Sequence, residues 1–170
     1  MKYFLISKDK NFTTAPDIIN WYEDISLINE KNLVKIKNRE VFNIKPNKNR
    51  VWTDVISIPN FFVSKKVKDI IEKYDKKIKF KQVVLLDKEN VDAEVYYLPL
   101  LDFIECLSNE SVVIRNTIKK GVLKKEAIKD KVIFRIGDVN KRYIVVRLDL
   151  IESILRRDTR GIRLEEIEVI

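Results

Sequence analysis

Val67, Ile70 and Ile71 are spaced to fall on one side of an α-helix, and Ile151, Ile154 and Leu155 repeat that stripe 84 positions later. Under the same shift the strand residues Phe80 and Val83 align with Leu164 and Ile167. A helix with one apolar stripe must bury it against a sheet or another helix. The pattern therefore predicts an α+β fold, with a common, largely antiparallel sheet packed by two main helices. The match points to internal duplication of a helix-strand unit, although any two such units written in isoleucine and lysine align nearly as well. In both units the paired strand residues are three apart rather than two or four, which predicts a shared β-bulge.

Further elements fill in around the two units. Lys2 to Ser7 and the alternation at Leu33, Val34 and Ile36 predict strands, and Asn47 to Asn49 after Pro46 predicts a turn. Val51 to Ile58 reads as extended up to Pro59-Asn60, and Ser64 is placed to cap the first helix. Lys79 to Leu86 and Glu94 to Leu100 read as an antiparallel pair across a charged turn, with Pro99 near the end of its strand. Val112 to Ile114 is strand-like, and Leu123 to Ile128 after Gly121 reads as a short basic helix. Val132 to Ile136 and Arg163 to Val169 read as later strands. With 170 residues the chain is expected to form a single domain, 1–170. Within it, 1–50 reads as an N-terminal strand and loop part, and 51–170 as a core holding the two similar units at 51–86 and 132–170.

Chemistry is narrowed by what is missing. The sequence has no histidine, one cysteine and three glycines. Imidazole-based triads, the usual zinc sets and a glycine-rich phosphate loop are thereby excluded. Cys106 lies among Phe103, Ile104 and Leu107 and is read as a small buried hydrophobe rather than a reactive thiol. Asp102 with Glu105, or Glu165 with Glu166, could act as acid and base, but such pairs more often lie on solvated faces. The expectation is a protein that is not an enzyme and uses no cofactor and no metal. The opening apolar run is too short for a signal peptide, and later runs fall short of the ~20 residues of a membrane-spanning helix. A cytoplasmic protein that engages no membrane is expected; the oligomeric state stays open.

Charge is unevenly spread. The net charge is +8, yet 24 lysines, 24 isoleucines and 13 asparagines point to a composition-wide bias that raises basicity without selection for phosphate. Residues 31–50 carry seven basic side chains against one acidic, and residues 87–110 carry seven acidic against one basic. The acidic band, with Asp87, Glu89, Asp92, Glu94, Asp102, Glu105 and Glu110, offers a face for a basic partner, and Asp92, Glu94, Asp102 and Glu105 are its candidate contacts. A charged hairpin edge that blocks aggregation is the plainer alternative. Lys35, Lys37, Arg39, Lys48 and Arg50, close to Phe42 and Trp52, form an alternative basic surface. Together with a second basic tract at 115–131, they are the material for a nucleic-acid-binding module, the rival class. Trp21-Tyr22 reads as an anchor on the core in preference to a binding hot spot.

The order of segments carries a resemblance. Asp54-Val55-Ile56 is followed by Phe62-Val63-Ser64 opening a helix, then Phe80-Lys81-Gln82-Val83, Tyr96-Tyr97-Leu98 and Asp102 to Ser108. Ile133-Phe134-Arg135-Ile136 then leads to Gly161-Ile162-Arg163-Leu164-Glu165-Glu166. Over residues 50–170 this resembles immunity family eleven of bacterial polymorphic-toxin systems, long catalogued as a domain of unknown function. Arg147 stands where that pattern would carry a second capping serine, and Leu164 where it would carry a closing aromatic. The resemblance implies a cytoplasmic, non-enzymatic immunity protein. Its partner would be a cognate protein toxin, encoded by the adjacent gene and neutralised by stoichiometric binding.

Overall fold

The computed structural model describes residues 1–21 and 36–170. In chain order the described elements are β1 (Tyr3–Lys8), β2 (Arg39–Asn43), β3 (Val55–Ile56), β4 (Phe62–Ser64), α1 (Lys65–Tyr74), β5 (Phe80–Asp87), β6 (Asp92–Pro99) and β7 (Phe103–Ile104). They continue with β8 (Val112–Ile114), β9 (Thr117–Lys120), β10 (Val122–Leu123), β11 (Ile133–Ile136), β12 (Ile144–Arg147), α2 (Leu148–Leu155) and β13 (Ile162–Val169). The fold is α+β, and most strand pairs are antiparallel. The single common sheet expected from the sequence is instead divided into a six-stranded sheet, β10-β13-β1-β12-β11-β7, and a five-stranded sheet, β2-β5-β6-β4-β3. A two-stranded ribbon, β8-β9, stands apart from both.

The two sheets repeat one connectivity. In each, a short antiparallel pair (β3-β4 or β11-β12) runs directly into a helix, and the helix returns to a long strand (β5 or β13). A strand antiparallel to both neighbours (β6 or β1) sits between, and a short parallel strand (β2 or β10) closes the far side. Registers agree as well. Ser64, Tyr96 and Val83 lie in one row across three strands, as do Arg147, Tyr3 and Ile167. Tyr96 donates its hydroxyl to the carbonyl of Thr53 at 2.5 Å, and Tyr3 donates to that of Lys131 at 3.1 Å; each acceptor lies just before its β3 or β11 strand. The correspondence is one of topology. No single sequence shift describes it, because the loops differ in length and the strand that completes the second sheet, β1, comes first in the chain.

Three apolar clusters hold these layers. The central one joins the helix stripes, Val67, Ile70 and Ile71 of α1 with Leu150, Ile151 and Ile154 of α2, to the inner faces of both sheets through Val55, Val63, Ile133 and Val146, while Leu155, expected in the second stripe, is 48% exposed and Leu150 is buried in its stead. The outer faces are covered separately. Phe42, Ile56, Phe62, Val83, Leu85, Tyr96 and Leu98 form one cluster, and Tyr3, Cys106, Leu123, Phe134, Val145 and Ile167 another. This two-sided burial replaces the expected bulge, for the registers of β5 and β13 run without a break. Phe80 and Leu164 pack on the central cluster, whereas Val83 and Ile167 point to the outer ones. A spacing of three carries a residue across a regular strand, and both faces are apolar here.

Helix starts follow the chemistry available at each cap. The Ser64 hydroxyl accepts the Val67 N–H at 3.4 Å and donates to Asp54 Oδ1 at 2.6 Å. Arg147 supplies no side-chain cap, and Asp149 in the first turn takes that place, accepting the Leu150 N–H at 2.9 Å and both arms of the Arg147 guanidinium at 2.8 Å. Leu123 to Ile128 is not a helix. Leu123 pairs with Val169 in β10 and the chain then turns, because burial of Leu123 and Ile128 under the six-stranded sheet outweighs local propensity. The strand expected at Leu33, Val34 and Ile36 falls largely outside the described residues; Ile36 is buried, and β2 begins at Arg39.

Candidate partner-binding surfaces

The acidic band is divided by the fold. Asp87, at the end of β5, is wholly buried with the Arg50 guanidinium against it, and that side chain is itself only 3% exposed. Asp87 Oδ2 also accepts from the Asn47 N–H at 3.0 Å and Asn90 Nδ2 at 2.9 Å, and Oδ1 accepts the Asn90 N–H at 3.1 Å. Burial favours the neutral acid, but these donors outweigh it and hold the carboxyl well below the usual carboxylate range. Arg50 donates onward to the Lys45 carbonyl at 2.8 Å and lies over the Trp52 ring at 5.3 Å. The pair therefore clamps the 45–50 loop onto the β5-β6 turn.

The four candidate contacts fall into two groups. Asp92 and Glu94 occupy the first half of β6, with Asp92 Oδ2 3.9 Å from Arg50 Nε and Glu94 exposed. Asp102 and Glu105 flank β7, both exposed, and Asp102 is 2.6 Å from Lys131. β6 covers about 23 Å from Asp92 to Pro99 at ~3.3 Å per residue, so Asp92 and Glu94 lie toward its start and Asp102 and Glu105 follow its far end.

The basic surface also changes. Lys37, Arg39 and Lys48 are exposed, whereas Arg50 is internal and belongs to the clamp. Lys35 lies outside the described residues, as do Lys31 and Tyr22. Trp21 packs on the outer core, 4.8 Å from Phe42 and 5.3 Å from Phe62 between ring centroids, in keeping with an anchor. In the second tract Arg115, Lys119, Lys120, Lys124, Lys125 and Lys129 are exposed.

One surface feature was not legible beforehand. Val112, Val113 and Ile114 read as a strand, but they form no part of a core. They are 45%, 42% and 53% exposed in β8, the outer strand of the ribbon. The ribbon closes through Arg115 and Asn116, both left-handed at φ 46° and 58°, which is the backbone of a two-residue hairpin turn. Its root is firmly fixed. Ile118 packs on the outer cluster and donates its N–H to the Tyr143 hydroxyl at 3.1 Å, while Ser111 Oγ donates to the Val122 carbonyl at 2.9 Å and accepts the Val122 N–H at 3.0 Å.

The lone thiol and the Asp102 carboxylate are each held in place. Cys106 is fully buried, and burial pushes its thiol up to about 12, so the nucleophilic thiolate is suppressed. An open cleft of about 500 Å³ between the end of α1 and the 129–133 segment holds Asp102 and Lys131 as a pair rather than a free acid and base. Among the described residues no three cysteine, aspartate or glutamate side chains converge as metal ligands, and no helix is long and apolar enough to cross a membrane. Compared with known proteins, residues 2–169 match the model of an immunity protein family, Imm11. No curated protein matches the chain significantly.

Proposed function

The chain belongs to the immunity protein family Imm11, and from that membership we propose that it binds a cognate toxin and neutralises it by stoichiometric occlusion. The observation that carries this reading is the extent of the match, residues 2–169. It takes in the described sheets, helices and ribbon, so membership extends over the whole described fold. What the described residues offer supports binding over turnover: the lone thiol is buried, and the buried carboxylate-guanidinium pair, Asp87 with Arg50, holds a loop in place. An inhibitor of this kind needs a complementary exterior and a few anchors, not reactive groups.

In this proposal the toxin is bacterial, is encoded beside the immunity gene and meets its inhibitor in the cytoplasm. The test is co-expression with the toxin domain from the neighbouring reading frame. Growth is expected to be restored, and the purified pair to run as a one-to-one complex by light scattering. A toxin that stays fully active in the presence of excess purified protein would overturn the reading.

A further inference from the structure

We propose that the β8-β9 ribbon is the anchor for the toxin, receiving on the free edge of β8 an extended, acidic segment of that partner. The proposal rests on the toxin-neutralising reading above and names the surface and the partner chemistry it would use.

Three observations converge on the ribbon. β8 pairs with β9 and with no other strand among the described residues, so one edge is left open to a further strand. The side chains along that edge are apolar and β-branched, and Val112, Val113 and Ile114 lie outside all three core clusters. Exposed apolar residues are ordinary when scattered singly, but three in succession on an open strand edge are a liability unless something covers them. The ribbon is also held rigidly. Tyr143, Ser111 and the packing of Ile118 fix its root, so little ordering is required when a partner arrives.

Charge identifies the occupant. Around the apolar edge stand Arg115 at the turn and Lys119 and Lys120 on β9, all exposed, with Lys124 and Lys125 beyond the root. Against them are Glu110 before β8, Glu126 beside Lys124 and Lys125, and Glu168, 4.0 Å from Lys120. The surplus is positive. A partner strand with apolar residues for Val112 and Ile114 and carboxylates for the flanking lysines would fit this edge, and an extended basic segment would be repelled from it. β8 spans only about 7 Å from Val112 to Ile114 at ~3.3 Å per residue, so it serves as an anchor within a larger interface.

The experiment uses full-length protein and a catalytically inactivated form of the toxin domain from the neighbouring reading frame. Dissociation constants are measured for the parent, Ile114→Glu, Val112→Thr and Lys119→Glu, with thermal melts as a control for folding. Ile114→Glu is expected to weaken binding at least tenfold and Val112→Thr by a smaller factor. Lys119→Glu should slow association and flatten its dependence on salt, with melting temperatures close to the parent in each case. Parent-like binding by all three variants overturns the ribbon as the anchor while leaving the toxin-neutralising function intact. Failure of the parent itself to bind sinks that function and the ribbon with it. Loss of oligonucleotide binding or of self-association in the variants, with toxin affinity unchanged, assigns the ribbon to another occupant and overturns the proposal.

Discussion

Arg50 and Asp87 show how a residue's role is fixed by where the chain puts it. Arg50 belongs to a run of seven basic side chains, and by charge count alone it reads as surface. In the fold it is buried against a carboxylate that three other donors, from Asn47 and Asn90, already favour in its ionised form. Such a pair costs desolvation and is costly to break from one side. The Asp87 carboxyl titrates below its unfolded range, so its stabilisation is fully present above the ordinary carboxylate pKa of about 4 and is lost as pH falls through the lower native value. Asp87→Asn is therefore expected to destabilise strongly at neutral pH and to converge with the parent in strong acid. Urea denaturation from pH 7 down to pH 2 measures this, and a pH-independent gap between the two would count against the clamp.

The secondary elements were legible to the degree that their burial was one-sided. Both helices lie where their stripes place them, although Leu155 of the second stripe is exposed and Leu150 is buried instead, and Ser64 caps α1 as its position predicts. Ser64→Ala should cost about 1 kcal/mol in equilibrium unfolding, with Asp54 losing its 2.6 Å donor as well. No change in stability would mean the cap is idle. β5 and β13 were placed correctly, but their faces were not, because a single sequence does not say that a strand is covered on both sides. β12 was missed for a related reason: Ile144, Val145 and Val146 are all buried, and a short apolar run has no period. Among the candidate contacts, strand positions were readable, yet their grouping was not. Asp92 and Asp102 are ten residues apart in the chain, but the length of β6 lies between them.

At the scale of the whole molecule, the repeated helix-strand signal corresponds to two sheets of matching connectivity whose helices meet in the middle, with the Tyr74 hydroxyl donating to the Asp149 carbonyl at 2.9 Å. What the sequence pattern could not convey is which strand completes each sheet. β6 follows β5 directly, whereas β1, its counterpart, is inserted between β12 and β13 from the other end of the chain. Tyr3 stands opposite both Arg147 and Ile167, so the six-stranded sheet closes only through contacts of very high sequence separation, while the β5-β6 pair is local. Loop-closure entropy makes such long-range pairing slow. In refolding followed by pulsed hydrogen exchange, amides of β5 and β6 are expected to gain protection before those of β1 and β13; simultaneous protection would contradict this order. During synthesis β1, made first, must wait until β12 and β13 have left the ribosome, so a nascent chain that stops short of residue 162 carries an N-terminal strand with neither of its neighbours.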